Sequence, residues 1–316
     1  MQTALVTGGA GFIGSHLCES LLKDNLKVIC VDNYITGDKK NIEHFLNNPN
    51  FVFIEADVTK PLEIKENIDY IFHLASPASP NKYSPRSYIN FPLETLRVNS
   101  EGTYQLLEFS KNKKSKFLFT STSEVYGDPL ESPQKEEYFG NVNPNGVRSV
   151  YDESKRFGEA ITMAYVRKFG LDARIIRIFN TYGPLMQKDD GRVVSNFINQ
   201  AINKESLIIY GDGKQTRSFC FVSDMVLGIK LAMFSNNTKG EVINLGNPDE
   251  RSILSLAKII RKLTGSASEV IFKDRFKDDP KTRKPDISKA KKLLGWEPNI
   301  SLEKGLLKTI EYFKGL

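Results

Sequence analysis

TALVTGGAGFIGSHLCESLLKDNLKVICVDN, residues Thr3 to Asn33, decides the fold. Thr3–Thr7 is a short apolar run that predicts a strand, and a glycine-rich turn follows it. From Phe12 to Lys23 the apolar residues Phe12, Ile13, Leu17, Leu21 and Leu22 recur at helical spacing. Val28–Val31 predicts a second strand, ending at Asp32. Strand, turn, helix and strand within about thirty residues make a βαβ unit.

The glycines Gly8, Gly11 and Gly14 follow a G-x-x-G-x-x-G spacing. Residues without side chains let the backbone turn sharply and approach a pyrophosphate, which then meets free N–H groups at a helix start. Asp32 stands eighteen residues beyond Gly14. A carboxylate at that strand end accepts both ribose hydroxyls and repels a 2′-phosphate, which favours NAD over NADP.

The alternation continues. Phe51–Glu55 and Tyr70–Leu74 read as strands, Leu93–Ser110 as one long helix, and Phe117–Phe119 as a fifth strand. Alternating βα units predict an α/β fold: a Rossmann-type, doubly wound parallel sheet with the site at its carboxyl edge. After Gly183-Pro184 the rhythm breaks. Helices are predicted at 191–203, 252–263, 287–294 and 302–312, with another starting at Ser223-Asp224. Strands are expected at 207–210 and 242–245, and GDGKQTRSF reads as a turn leading back to the sheet. The predicted division is a Rossmann domain, 1–181 with about 217–246, and a smaller discontinuous α/β substrate-binding lobe, 182–216 with 247–316.

Bulk composition narrows the function classes. The chain has 316 residues, 40% of them hydrophobic and 26% charged, as in ordinary globular proteins. No apolar run approaches the 18 or so residues that a membrane span needs. The N-terminus lacks a cationic start before an apolar block, so no secretory signal is read. Cys18, Cys30 and Cys220 are odd in number and scattered, which fits a reducing cytoplasm rather than disulfides. His16, His44 and His73 are too separated for a metal cluster, and no metal is expected. The net charge of +6 includes the run KNKKSK, which reads as an exposed helix end rather than a nucleic-acid surface.

Tyr151 and Lys155 form Y-x-x-x-K in a segment whose apolar spacing is helical, so both side chains share one face. A tyrosine base needs its pKa, near 10, brought toward 7, and a neighbouring ammonium stabilises the phenolate. The hydroxyl-rich stretch TSTSEVYGDP, 120–129, follows the fifth strand and falls at the same sheet edge.

GGAGFIG, Asp32, the strand-five hydroxyls and Y-x-x-x-K resemble the extended short-chain dehydrogenase/reductases that act on nucleotide sugars. HLASPASP (73–80), STSEVYGDP (121–129), YDESKR (151–156), RIFNTYGP (177–184), DDGRVVSNFI (189–198) and RKPDI (283–287) resemble the family's UDP-glucuronate decarboxylase branch. The resemblance implies a tightly bound NAD. Gly8, Gly11, Phe12 and Ile13 would meet its pyrophosphate, and Asp32, Asn33, Thr36 and Gly37 its ribose. Asp57 and Val58 would lie by the adenine, with Leu74 and Ser76 along the dinucleotide path. Tyr151 is the implied base, tuned by Lys155. Thr122 would meet the sugar near O4, and Ser123 and Glu124 would face the ring near C5.

For a UDP-sugar, the resemblance places Asn180 and Arg192 by sugar and diphosphate, and Tyr210, Gln215 and Arg217 on the uridine side. Arg283 would approach the diphosphate and reacting sugar. Lys82 and Arg86, after ASPASP, are further candidate cations for a sugar carboxylate, with no direction fixed by the sequence. Related dehydratases carry Asp-Glu where this chain has Ser123-Glu124; a serine suits an acidic sugar, because a second carboxylate would repel it. The charge on Glu124 has no explanation at this level. Three sibling readings use the same base and cofactor: 4-epimerisation, 4,6-dehydration, and release of a 4-keto pentose with NADH. A non-catalytic nucleotide-sensing or RNA-binding scaffold is the distant alternative. The family commonly forms homodimers through the helix that bears the Tyr-Lys pair; no membrane or nucleic-acid partner is expected.

Overall fold

The computed structural model describes residues 1–316. Its centre is a seven-stranded sheet built from β1 (Thr3–Thr7), β2 (Lys27–Asp32), β3 (Phe51–Glu55), β4 (Tyr70–His73), β5 (Lys116–Thr122), β6 (Ala173–Ile178) and β11 (Val242–Leu245). The spatial order is β3-β2-β1-β4-β5-β6-β11. Every pairing is parallel. The order reverses direction between β1 and β4, and in doubly wound sheets that reversal opens the ligand crevice at the carboxyl edge.

Parallel strands covered on both faces are apolar throughout, and β1 is buried at all five positions. Ala4 and Val6 point into one core and Leu5 into the other, as the twofold strand period requires. The larger core lies against α1 (Phe12–Lys23), α5 (Val193–Ile202), α6 (Val222–Phe234), α7 (Ile253–Thr264), α8 (Ser288–Leu294) and α9 (Leu302–Lys314). The smaller lies against α3 (Thr103–Lys113) and α4 (Ser149–Phe169).

Three differences from the sequence expectation have physical causes. The long helix is not uniform: α2 (Pro92–Arg97) passes through a π-helical turn, Val98–Gly102, into α3. The extra residue of a π turn re-aims side chains, here Asn99, whose Nδ2 donates to Ser76 and Ser154 at 3.0 Å each. The turn GDGKQTRSF does not return to the main sheet. Its second half forms β9 (Thr216–Ser218), which pairs antiparallel with β12 (Glu250–Ser252). β10 (Cys220–Phe221) pairs with β7 (Thr181–Tyr182), and β8 (Leu207–Tyr210) with β13 (Val270–Lys273), which the sequence reading missed. β13 is mostly exposed, so it lacks the burial alternation by which a strand is recognised.

The C-terminal part is fastened to α6. Trp296 is fully buried and donates to the Asp224 carbonyl at 2.9 Å, while the Asp224 carboxylate accepts from the backbone of Asn299 and Ile300. No helix is long and apolar enough to cross a membrane.

Candidate active site

One cavity of about 1240 Å³ runs along the carboxyl edge of the sheet. A single small ligand occupies roughly 300–1,000 Å³, so this volume suits a dinucleotide and a second ligand together. The wall includes Gly8, Gly11, Phe12, Ile13, Asp32, Asn33, Thr36, Gly37, Asp57, Val58, Leu74 and Ser76. It also includes Thr122, Ser123, Glu124, Tyr151, Lys155, Asn180, Arg192, Tyr210, Gln215 and Arg217. Arg283 is fully buried and sits beside Ser123 and Glu124 rather than in this lining.

The dinucleotide end is shaped by missing side chains. A Cβ on Gly8, at φ +71°, would lie 2.7 Å from the Ala75 nitrogen, and one on Gly14 would lie 2.1 Å from the Gly8 carbonyl oxygen. Any larger residue would push α1 off the strand ends. The N-cap of α1 is Gly11, with no side chain bonded across the helix start. Its first N–H groups and the helix dipole therefore suit an anionic pyrophosphate. Asp32 accepts from Ala10 N at 3.0 Å and Tyr34 N at 2.8 Å. Burial pushes its pKa up and these N–H groups pull it back. A carboxylate has about four acceptor positions, so the bonds to Ala10 and Tyr34 leave room for ribose hydroxyls. The donor set therefore fits NAD.

Tyr151 and Lys155 project from α4 over the end of β5. Gly158 allows that approach: a Cβ there would meet the Phe119 ring at 2.3 Å. Lys155 Nζ donates to the Thr120 carbonyl at 2.8 Å and lies 5.8 Å from the centre of the Tyr151 ring. Burial lowers the Lys155 pKa to about 7 and raises that of Tyr151, against a downward pull from the Thr122 hydroxyl. Both shifts oppose isolated charge. A phenolate and an ammonium side by side relieve one another, so the two charges are best formed as a pair. Beneath them His73 bridges Thr7 at 2.8 Å and Thr103 at 3.1 Å; burial, then Lys155, holds its pKa down near 3. It is a neutral core histidine.

Glu124 lies in the 3₁₀ turn Ser123–Tyr126 that follows β5, and its backbone N–H donates to Thr122 Oγ1 at 3.2 Å. Its carboxylate bonds Arg148 Nη2 and lies 3.7 Å from Arg283 Nη2. Burial raises its pKa, but Arg148 and then Arg283 outweigh that and hold it at about 2. The charge on Glu124 is thus explained: it is the counter-ion of two buried arginines. Arg283 reaches this wall from behind, donating through Nη1 to the Ser123 carbonyl, with its Nε buried and unbonded.

The remaining cations are also engaged. Arg192 forms a forked pair with Asp190 at 2.6 and 2.7 Å. Arg217 donates to both Asp279 oxygens at 3.1 Å. Gln215 donates to the Tyr210 carbonyl at 2.6 Å, and the Tyr210 ring packs on Phe276 with centroids 4.2 Å apart. Asn180 lines the cavity with its side-chain nitrogen buried and unbonded. Arg86 bonds Asp189 at 2.9 Å and the Thr36 carbonyl at 3.1 Å, and Lys82 lies over the Tyr83 ring.

A family model described as GDP-mannose 4,6 dehydratase matches residues 5–309. The chain belongs to this family of extended short-chain dehydrogenase/reductases. Among curated relatives, UDP-glucuronic acid decarboxylase 1 of Xenopus tropicalis is 51% identical over 310 residues, 98% of this chain and 72% of that protein. UDP-glucuronic acid decarboxylase 3 of Arabidopsis thaliana is 50% identical over 303 residues, 96% of this chain and 86% of the relative. Among solved structures, UDP-glucuronic acid 4-epimerase from Bacillus cereus in complex with UDP-glucuronic acid and NAD superimposes with a TM-score of 0.88. It is 33% identical, with 99% of each chain covered.

For this family member, sequence reasoning passed over four residues that the fold brings to the site. Tyr88 is fully buried and stacks on Tyr151, with centroids 4.9 Å apart and rings 3° from parallel. Asn99 ties the π turn to Ser76 and Ser154. Asp152 is buried, and burial, then Glu124, raises its pKa to about 8. Arg148 stands between Glu124 and Asp279. Arg148 lies three residues before Tyr151, one helical turn away, which is the only local hint the sequence offered.

Proposed function

We propose that this chain is an NAD-dependent decarboxylase converting UDP-glucuronate to UDP-xylose without net oxidation. The observation that carries the reading is the match, at about half identity over nearly the whole chain, to proteins named UDP-glucuronic acid decarboxylase. The site chemistry is consistent with it. Tyr151 removes the O4 proton, and Lys155 stabilises the phenolate. The chemistry that NAD supplies when bound is reversible hydride exchange at C4. A ketone at C4 makes the C5 carboxylate a β-keto acid, so CO2 leaves with its electrons held as an enolate. Tyr151 and Thr122 donate to the enolate oxygen. Protonation at C5 and reduction at C4 complete the pentose.

Ser123 places a neutral group beside the substrate's carboxylate. Glu124 does not repel the acid as a bare carboxylate would, because Arg148 and Arg283 compensate it. Asp32, Asn33, Thr36 and Gly37 are assigned to the NAD ribose, and Arg192, Tyr210, Gln215 and Arg217 to UDP. On this reading residues 1–181 with about 217–246 hold the cofactor, and 182–216 with 247–316 hold the nucleotide sugar. A cytoplasmic location fits three cysteines that are buried and free. A homodimer through α2 to α4 fits the exposed Leu93, Tyr104, Phe157 and Phe169 on those helices.

A second reading, 4-epimerisation of the same acid, draws on the Bacillus cereus structure. Incubating NAD-loaded protein with UDP-glucuronate, and following CO2 and the nucleotide sugar by NMR, separates the two. The expected result is CO2 with UDP-xylose. A C4-epimerised acid without CO2 selects the epimerase, and a 4-keto pentose with NADH shows a cycle that does not close.

A further inference from the structure

We propose that Arg148 is a positioning residue for the reaction, fixing Glu124 against the reacting ring. The inference rests on the decarboxylase reading and deepens it. Arg148 is 7% exposed, and its two terminal nitrogens are divided between Glu124 and Asp279, the latter at 3.1 Å. Asp279 in turn receives Arg217. The backbone of Arg148 acts as well: its carbonyl accepts from the N–H groups of Tyr151 and Asp152 at 3.0 Å each. One residue therefore closes the start of the helix that carries Tyr151 and grips a carboxylate in the turn just after β5. A planar guanidinium serves two carboxylates at fixed angles, which an ammonium cannot reproduce.

The groups facing Glu124 are Arg148, Arg283 and Arg217, with Asp152, Tyr151 and Tyr88 near enough to feel its charge. Arg148 is the strongest of the opposing cations. Removing it leaves Glu124 with Arg283 at a longer distance, free to rotate and easier to protonate. Asp152 loses the same cation and is protonated still more firmly, so it adds no acid limb of its own.

The test uses NAD-loaded protein and UDP-glucuronate, reading CO2 release from pH 4.5 to 8 together with UDP affinity by calorimetry. Wild-type protein is expected to show no acid limb from Glu124, which is held near 2. Arg148→Met is expected to lose roughly 100-fold in kcat, as for a charged hydrogen bond removed, while UDP binds within about threefold of wild type. Its kcat gains an acid limb between about pH 4.5 and 6, because loss of the cation raises the carboxyl pKa. Arg148→Lys is expected to fall between, and adding Glu124→Gln to Arg148→Met abolishes the limb.

A kcat loss with no change of pH profile, or a limb that survives Glu124→Gln, overturns the proposal. So does near-wild-type turnover. If Arg148→Met does not fold, as judged by lost UDP binding, the Arg148→Lys profile decides alone: a wild-type profile overturns the proposal, a shifted one supports it. Wild-type protein that releases no CO2 refutes the functional reading instead, before any variant is compared.

Discussion

The glycine turn after β1 and the arginine cluster around Glu124 shape one cavity, yet they are built in opposite ways. The turn works by absence: Gly8, Gly11 and Gly14 leave space and expose backbone N–H groups, all within seven residues of chain. The cluster works by compensation. Arg148, Arg283, Arg217, Glu124 and Asp279 come from distant segments, and each charge is tolerated because an opposite one is set against it. Damage to the turn should therefore be steric and confined to the cofactor. Damage to the cluster should be electrostatic and visible in pH and kcat.

Tyr151 stands where the two ends meet, and its loss should have the largest effect. Tyr151→Phe removes the proposed proton acceptor while keeping the ring that stacks on Tyr88. Hydride transfer, followed as NADH absorbance after mixing with UDP-glucuronate, is expected to fall by about 10³-fold or more. Affinities for NAD and UDP are expected to hold. Turnover near wild type would remove Tyr151 as the base.

At the steric end, Gly14→Ala forces a Cβ to within 2.1 Å of the Gly8 carbonyl oxygen. The turn must move away from the path of the pyrophosphate. NAD affinity is expected to fall by roughly 100-fold, with about 1–3 kcal/mol of stability lost to overpacking. UDP affinity is expected to stay within a few-fold. If UDP affinity fell as far as that for NAD, the two ends would not be separable.

The same contrast explains how much was legible in the sequence. Gly8 to Asp32 and the Tyr151–Lys155 pair could be placed at the sheet edge from sequence, because short spacing and one local period fix where they lie. The sheet class followed from strand and helix alternation. The charged cluster could not be read, because its partners are far apart along the chain: Arg148 and Asp279 are separated by 131 residues, Arg283 and Ser123 by 160. Glu124 therefore looked like a lone carboxylate beside an acidic substrate. Tyr88 lay unmarked in a proline-rich loop, since aromatic stacking between loop and helix leaves no periodic trace. The π turn was invisible because Leu93–Ser110 keeps its apolar rhythm across the insertion.

Lys155 belongs to neither end, and its pH behaviour tests whether burial or pairing controls it. Its pKa is lowered from 10.5 to about 7, chiefly by burial. Below pH 7 both folded and unfolded chains hold the proton, and the cost of the buried charge is felt in full. Between pH 7 and 10.5 the unfolded chain holds more protons, so stability rises with pH. Measured as the difference between wild type and Lys155→Met in urea unfolding, wild type is expected to gain about 2 kcal/mol from pH 7 to 9. A flat difference would mean that pairing, not burial, governs Lys155.

The smallest effect divides the arginines themselves. Arg217 lines the cavity and holds Asp279 through a two-oxygen contact, whereas Arg283 lies behind the wall and grips Ser123 and Glu124. A lysine in either place keeps the charge and loses the planar fork. Arg217→Lys is expected to weaken UDP binding by about tenfold, the loss of one charge-assisted hydrogen bond, with little change in kcat at saturation. Arg283→Lys is expected to do the reverse, leaving UDP affinity alone and lowering kcat by about tenfold through Glu124. Calorimetry with UDP and CO2 release at saturating substrate measure both. If Arg283→Lys weakens UDP as much as Arg217→Lys does, Arg283 must swing through the wall to meet the diphosphate. The position behind Ser123 would then be only one of its two stations.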